Sequence, residues 1–326
     1  MLLLMLAVAV MFFVAWNIGA NNAANVMGIS VGSGALSLRR AVVLVFALEI
    51  CGAVFFGDSV ARTVGVGIMS STGMRMVEAV AVLFLVGAFI TAACYFRVPL
   101  SMTQVLVGCV VGYGFAVSSV LNVGVISGVA LSWLISPLFG VVSGFFGYYL
   151  VQRWFLSHFS NMHDVGRSFG FFAGLEVVSC AFVAFAQGAN SIAAAVGVFS
   201  GVVPAVSLDM LFVLKIVGGA GIGVGMAVWG YRVMQTISSG IVVMNPAMCF
   251  VAQFAAAFVV LFFTFFGMPV SCVNVVVGTV IGVGLISGAR TIHWKVIYEI
   301  VGSWVFVLPV SAFVSFLFIR GLIVFV

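Results

Sequence analysis

The sequence predicts an all-α polytopic membrane protein made of two repeats, each with about five hydrophobic segments. Hydrophobic residues make up 65% of the 326 residues and charged residues only 6%, whereas a soluble domain carries about 25% charged residues. Apolar stretches long enough to cross a bilayer as helices recur along the whole chain. These stretches are continuous, which excludes the short alternating segments of a transmembrane β-barrel.

Ten apolar segments follow one another along the chain. In the first half they lie near 1–28, 41–57, 77–96, 99–119 and 123–151, and in the second half near 169–199, 205–230, 240–266, 269–288 and 296–323. The start at Met1–Val14 is similar to a signal-peptide core, but no basic residue precedes it, so we expect a retained first span. The predicted transmembrane repeats are 1–151 and 169–326.

The most polar stretch of the chain, residues 152–168, is the predicted linker between the repeats. The net charge of +5 comes from basic residues scattered at segment ends, where they set membrane topology rather than bind nucleic acid. Because Lys and Arg are enriched in cytoplasmic loops, we expect the linker to be cytoplasmic, and the Arg39-Arg40 loop as well if the number of spans allows it.

Two polar motifs occur twice, in the same order and at nearly the same spacing. Gly19-Ala20-Asn21-Asn22 returns 169 residues later as Gly188-Ala189-Asn190-Ser191, and Pro99-Leu100-Ser101 returns 170 residues later as Pro269-Val270-Ser271. This register indicates an internal duplication, inverted in the membrane if each half crosses it an odd number of times. Duplicated polar breaks in a membrane chain are typical of a transporter with its site between the repeats.

The first motif concentrates amides inside apolar segments. Asn17, Asn21, Asn22 and Asn25 lie within nine residues, and Asn190 and Ser191 repeat the pattern. Because an amide facing hydrocarbon is costly, we expect these side chains to face protein, on helices that are broken or re-entrant at the motifs. Hydrogen bonding between helices without a ligand is the alternative.

The second motif predicts two helix N-termini inside the membrane. A proline favours the first turn of a helix, and hydroxyls and amides follow it in each copy. These residues are Ser101, Thr103 and Gln104 in the first half and Ser271 and Asn274 in the second. Helix N-termini attract anions through unpaired N–H groups and the helix dipole. An ordinary capped membrane helix is the alternative.

Glu49, Glu176 and Lys215 lie within apolar runs, and Arg97 lies just before the first proline motif. Charges inside a membrane are functional or paired by default, so the two glutamates are candidates for coupling to an ion. No arrangement of nucleophile and base indicates an enzyme, no residue set indicates a metal centre, and no cofactor is expected beyond Na⁺ as a coupling ion.

The four motif copies resemble those of the inorganic phosphate transporter (PiT) family. Gly19–Asn25 and Gly188–Ala194 resemble its paired G-A-N-D-V-A-N-A motifs, and Pro99–Gln104 and Pro269–Asn274 resemble its P-V-S-T-T-H motifs. The resemblance implies inverted repeats, cation-coupled uptake at the cell membrane and, in many members, a homodimer. It assigns substrate contacts to Asn21, Asn22, Ser101, Thr103, Asn190, Ser191 and Ser271. We add Asn25 and Asn274 of the same motifs to the predicted substrate-binding residues.

This chain departs from the family pattern at the motif aspartates, which are Asn22 and Ser191 here. Glu49 and Glu176 are therefore the candidates to replace them as ion ligands. A site without carboxylates also suits a fully ionised anion, and the short linker is similar to that of the family's sulfate permease branch. We expect a secondary transporter of a small oxyanion, phosphate first and sulfate second. An uncoupled anion channel and a binding protein without transport are further alternatives.

Overall fold

The computed structural model describes residues 2–69, 73–96, 100–158, 162–202, 206–230, 242 and 244–325, and these residues are almost entirely helical. The first half forms helices α1 (Leu2–Ala23), α2 (Ile29–Gly32), α3 (Leu38–Phe56), α4 (Asp58–Arg62), α5 (Met76–Tyr95), α6 (Met102–Ala116) and α7 (Val123–Trp154). The second half forms α8 (Met162–Gln187), α9 (Ala193–Ser200), α10 (Leu208–Trp229), α11 (Pro246–Phe265), α12 (Cys272–Ser287) and α13 (Trp294–Phe325). Arg97 and Pro99 lie outside the described residues.

The described helices confirm an all-α multi-pass membrane protein. Seven spans are long and apolar enough to cross a bilayer, or eight if α3 and the segment Asp58–Gly67, which meet at a 65° bend, form one span. The short helices α6 and α12 have 15 and 16 residues. At 1.5 Å per residue they are about 23 Å long, less than the roughly 30 Å of the hydrocarbon core. Each is therefore too short to cross the membrane alone.

The asparagine motifs lie at irregular turns in otherwise continuous spans. A π-helical turn at Ala24–Gly28 joins α1 to α2, and another at Gly188–Ile192 joins α8 to α9. The expected interruption thus takes the form of a wider helical turn within spans Leu2–Gly32 and Gly170–Ser200. Such turns leave some backbone groups without the regular pairing and occur often at functional sites.

The two motif-bearing spans run in opposite directions. Ser33, which follows the end of the first span, donates a hydrogen bond to Glu176 Oε1 at 2.8 Å, and Glu176 lies near the start of the second span. The end of one span therefore lies beside the beginning of the other. An inverted duplication predicts this relation, although the duplication itself stays a prediction.

The helices packed on these spans follow the same directions. α5 runs parallel to α1, because Phe13 stacks on Phe84 and, further along both helices, Thr91 donates to Asn17. α11 runs parallel to α8. The C-terminal part of α6 returns to the start of α5, where Tyr113 donates to Glu78. The last residue of α12 likewise contacts the first turn of α11. α6 and α12 therefore run in opposite directions.

Close helix packing fixes these short helices in place. α6 packs against α13, and α12 packs against α7. A side chain at Gly112 would meet the backbone of Ala312, and one at Gly282 would meet the backbone of Val141. Glycine at these two positions therefore allows close approach of the helices, as small residues do in membrane proteins.

The predicted linker at 152–168 is partly helical. α7 extends through Trp154, a short 3₁₀ turn covers Leu156–His158, and α8 begins at Met162. The contact between Ser33 and Glu176 places the loop before α3 on the same side of the molecule as the start of the second span. The Arg39-Arg40 segment and the linker therefore lie on one side, as the charge pattern requires if that side is cytoplasmic.

Candidate oxyanion site

Every predicted binding residue is buried inside the protein. Each of the nine is at most 2% exposed: Asn21, Asn22, Asn25, Ser101, Thr103, Asn190, Ser191, Ser271 and Asn274. The lipid-exposed side of α1 instead carries apolar residues such as Met5 and Phe12. The amides thus face protein rather than acyl chains, and the site is closed in this conformation.

Matching serine caps begin the two short helices. Ser101 Oγ accepts a hydrogen bond from the backbone N–H of Gln104 at 3.4 Å, and Ser271 Oγ accepts one from Asn274 N at 3.3 Å. Ser101 also lies 3.2 Å from the Thr103 hydroxyl. Each cap satisfies one of the free N–H groups of its helix and leaves others unpaired. Both helix ends therefore keep donors for an anion.

Each asparagine motif holds the loop before the short helix of its own half. Asn21 Nδ2 donates to Leu100 O at 2.8 Å. Asn190 Nδ2 donates to Met268 O at 3.1 Å and to Thr264 Oγ1 at 2.8 Å. The two motifs of a half, about 80 residues apart in sequence, are thereby joined at one place.

Contacts between the halves bring the two pairs of motifs together. The π-helical turn at Ala24–Gly28 in the first half contacts α12, and α6 contacts α9 in the second half. Each short helix therefore lies against the asparagine-motif span of the opposite half. The four motif copies therefore lie on helices that pack against one another across the two halves.

Unsatisfied polar atoms concentrate at these motifs. Buried side-chain atoms without a hydrogen-bond partner among the described residues include Asn21 Oδ1, Asn190 Oδ1, Gln104 Oε1, Asn274 Nδ2 and both side-chain polar atoms of Asn25 and of Gln187. Such atoms are rare in folded proteins, and each calls for an explanation. The set contains both donors and acceptors, so it can bind a molecule that has both ionised oxygens and a proton or cation.

Glu49 and Glu176 occupy different surroundings. Glu49 on α3 is fully buried, and neither of its carboxylate oxygens has a partner in the described parts of the chain. Its backbone touches Gly188, the first residue of the second asparagine motif. Glu176 instead bonds to Ser33 near the end of the first span. The structure therefore brings Glu49, but not Glu176, to the candidate site.

Lys215, the third charged residue of the apolar runs, lies outside the motif cluster. Lys215 is 8% exposed and forms an ion pair with Asp58 at 2.7 Å. The pair lines a cavity of about 360 Å³ between α4, α9 and α10. Lys215 is therefore a paired charge rather than a member of the motif cluster.

Thr264 is a site residue that sequence reasoning missed. Its hydroxyl donates to Val260 O within α11 and accepts from Asn190. The available signal was one hydroxyl in the otherwise apolar run 254–266, but its partner lies 74 residues away in the sequence. Only the parallel packing of α8 and α11 brings the two together.

The chain is similar to known proteins that are named for phosphate transport. Residues 18–315 match the family described as "Phosphate transporter family". The "Putative phosphate permease" of Thermococcus kodakarensis is 30% identical, over 97% of each chain. The "Inorganic phosphate transporter 2-1, chloroplastic" of Arabidopsis thaliana is 28% identical, over 92% of this chain and 69% of the relative. The solved structure titled "The sodium-dependent phosphate transporter" matches with a TM-score of 0.90 and 25% identity, over 100% of both chains.

Proposed function

Since the chain belongs to the phosphate transporter family, we propose that it is a secondary active transporter of inorganic phosphate that works by alternating access and is coupled to Na⁺ or H⁺. The observation that carries the proposal is the pair of serine-capped short helices that run in opposite directions, together with the unsatisfied buried amides of the motifs. We place its activity in the cell membrane, and the expectation of a homodimer stays a prediction.

Helix N-termini give the site an attraction for anions without a basic side chain. Each N-terminus carries roughly half a positive charge and unpaired N–H groups. α6 and α12 enter from opposite sides, so a tetrahedral oxyanion between them would receive donors from two directions. The hydroxyls of Ser101, Thr103 and Ser271 add further polar contacts around it.

Burial favours alternating access over an open channel. All nine binding residues are at most 2% exposed, so substrate reaches them only after the helices move. A channel instead requires a path that stays open to both sides during conduction. The closed site and the opposed directions of the two spans support a mechanism in which access changes sides around one central site.

Glu49 is the residue we assign to ion coupling. Its two oxygens are buried without a partner, and its backbone packs against the second asparagine motif. An unpaired buried carboxylate is costly unless a proton or cation binds it. Glu176 is the weaker candidate because Ser33 already satisfies one of its oxygens away from the motifs. The two residues form a matched pair for testing this assignment.

Uptake of labelled phosphate into proteoliposomes tests the proposal. We expect saturable uptake that increases with an imposed Na⁺ or H⁺ gradient. Glu49→Gln should remove the dependence on the gradient, whereas Glu176→Gln, the control, should retain it. Absence of saturable uptake under both gradients would refute the transport proposal. Gradient dependence unchanged in Glu49→Gln would place the coupling site elsewhere.

Sulfate is the alternative substrate that the same assay examines. The reported relatives are named for phosphate rather than sulfate. The site can also accept a substrate proton without a carboxylate, because the amide oxygens of Asn21 and Asn190 are free acceptors. Labelled phosphate uptake should therefore resist competition by excess sulfate.

A further inference from the structure

The two equivalent asparagines of the site, Asn21 and Asn190, have amide groups whose orientation is fixed. Asn21 Nδ2 donates to Leu100 O at 2.8 Å and to Asn22 Oδ1 at 3.3 Å. A backbone carbonyl oxygen has lone pairs only, so the atom facing it must be an N–H donor. The nitrogen therefore points to Leu100, and the amide cannot be turned over without loss of this bond.

Asn190 is held in the same way by different partners. Its nitrogen donates to Met268 O at 3.1 Å and to Thr264 Oγ1 at 2.8 Å. The Thr264 hydroxyl donates its own hydrogen bond to Val260 O at 2.7 Å, so it can only accept a hydrogen bond from Asn190. In both asparagines, two partners account for both N–H bonds of the amide.

This bonding leaves each asparagine with a free acceptor and no free donor. Asn21 Oδ1 and Asn190 Oδ1 are buried, belong to residues that are 0% exposed, and find no partner within the described ranges. An ionised substrate oxygen next to them would be repelled, because both atoms would present only lone pairs. The groups that these oxygens can bind are a hydroxyl proton or a cation.

We propose that Asn21 and Asn190 accept hydrogen bonds from hydroxyl groups of the substrate, so that the site selects an oxyanion that keeps a proton and rejects a fully ionised one. The helix N-termini and serine hydroxyls hold the ionised oxygens, and the two amide oxygens hold the protonated ones. This inference rests on the proposed function and specifies which chemical form of the substrate the site takes.

The absence of carboxylates in the four motifs favours a hydroxyl over a cation at these oxygens. Asn22 and Ser191 are neutral, and the buried carboxylate nearby, Glu49, is a separate group on α3. Neutral amide oxygens are sufficient to accept from a P–OH group. Thr264 then acts as a positioning residue, because it directs the Asn190 oxygen toward the substrate without itself facing it.

A series of tetrahedral anions tests the proposal on the purified full-length protein. Competition against labelled phosphate should be effective for arsenate, which keeps a hydroxyl near neutral pH. It should be weaker by about 100-fold for sulfate and for monofluorophosphate, which have none, because two buried acceptors are left unpaired. Sulfate or monofluorophosphate competing within about threefold of phosphate would overturn the proposal.

Variants show whether these two residues cause the selectivity. Asn21→Leu together with Asn190→Leu should weaken phosphate binding and reduce the preference over sulfate to less than about tenfold. Thr264→Val should release the Asn190 amide and lower the preference for phosphate. Thr279→Val is the matched control, since Thr279 is equally buried but bonds only within α12, and it should leave the preference unchanged.

Other outcomes separate this inference from the proposed function. Failure of every anion to bind would refute both. Phosphate binding without any preference for hydroxyl-bearing anions would refute the inference and leave phosphate transport standing. If the asparagine variants lose Na⁺ dependence of binding but keep the preference over sulfate, the two oxygens bind a cation and the proposal is wrong.

Discussion

The serine caps of α6 and α12 allow a sharp test of the anion site, because a third cap elsewhere serves as a matched control. Ser101 and Ser271 each accept from the backbone N–H three residues later, and Ser207 does the same at the start of α10. Ser101→Ala, Ser271→Ala and Ser207→Ala each remove one N-cap. Each should therefore cost about 1 kcal/mol of stability.

Phosphate binding should respond at the first two positions alone. Loss of a hydrogen bond to a charged group costs about 1.5–3 kcal/mol, which corresponds to a decrease in affinity of about 10- to 150-fold. Because Ser101 and Ser271 lie on separate helices, the double variant should show roughly the sum of the two losses in free energy. Ser207→Ala should bind phosphate like the parent protein, since Ser207 is exposed and outside the motifs.

Titration calorimetry with phosphate, alongside thermal unfolding in detergent, measures both quantities on the same samples. Equal effects of all three substitutions on phosphate affinity would show that the caps act through stability alone. Unchanged affinity in both Ser101→Ala and Ser271→Ala would remove the helix ends from the site and refute the reasoning.

Three further predictions concern a close helix contact at the site, an ion pair outside it and a buried thiol. Gly188→Ala should abolish phosphate uptake, because the alanine side chain would clash with the backbone of Glu49. Gly174→Ala is the control and should preserve uptake in the same assay, because no other atoms lie near the added side chain. Asp58→Asn should lower the unfolding temperature more than Lys215→Met does. Asp58→Asn leaves the buried lysine unpaired, whereas Lys215→Met leaves unpaired an aspartate side chain that is 78% exposed to solvent. A larger decrease for Lys215→Met would contradict this prediction. Modification of Cys272 by a small thiol reagent should block uptake, and bound phosphate should slow the reaction; equal modification rates with and without phosphate would place the thiol outside the site.

Much of the architecture follows from local sequence patterns. Continuous apolar runs predict the spans, and prolines followed by hydroxyls predict the starts of α6 and α12. The clustered amides predict a buried polar region, because lipid cannot satisfy them. These inferences succeed because each depends on residues close together in the chain.

Other features of the site depend on contacts between distant segments. The direction of the Asn21 amide is set by Leu100, and that of Asn190 by Thr264 and Met268, at separations of 74 to 79 residues. Glu49 and Glu176 look alike in the sequence, since both are single carboxylates in apolar runs. Packing of α3 against the second motif distinguishes them, and no local pattern contains this information.

The central claim is that the oxyanion binds between the N-termini of α6 and α12, and anomalous diffraction from crystals grown with arsenate tests it most directly. We expect a single strong arsenic peak within hydrogen-bonding distance of the Ser101 and Ser271 hydroxyls. An arsenic peak elsewhere in the protein, with none between these two residues, would contradict the account.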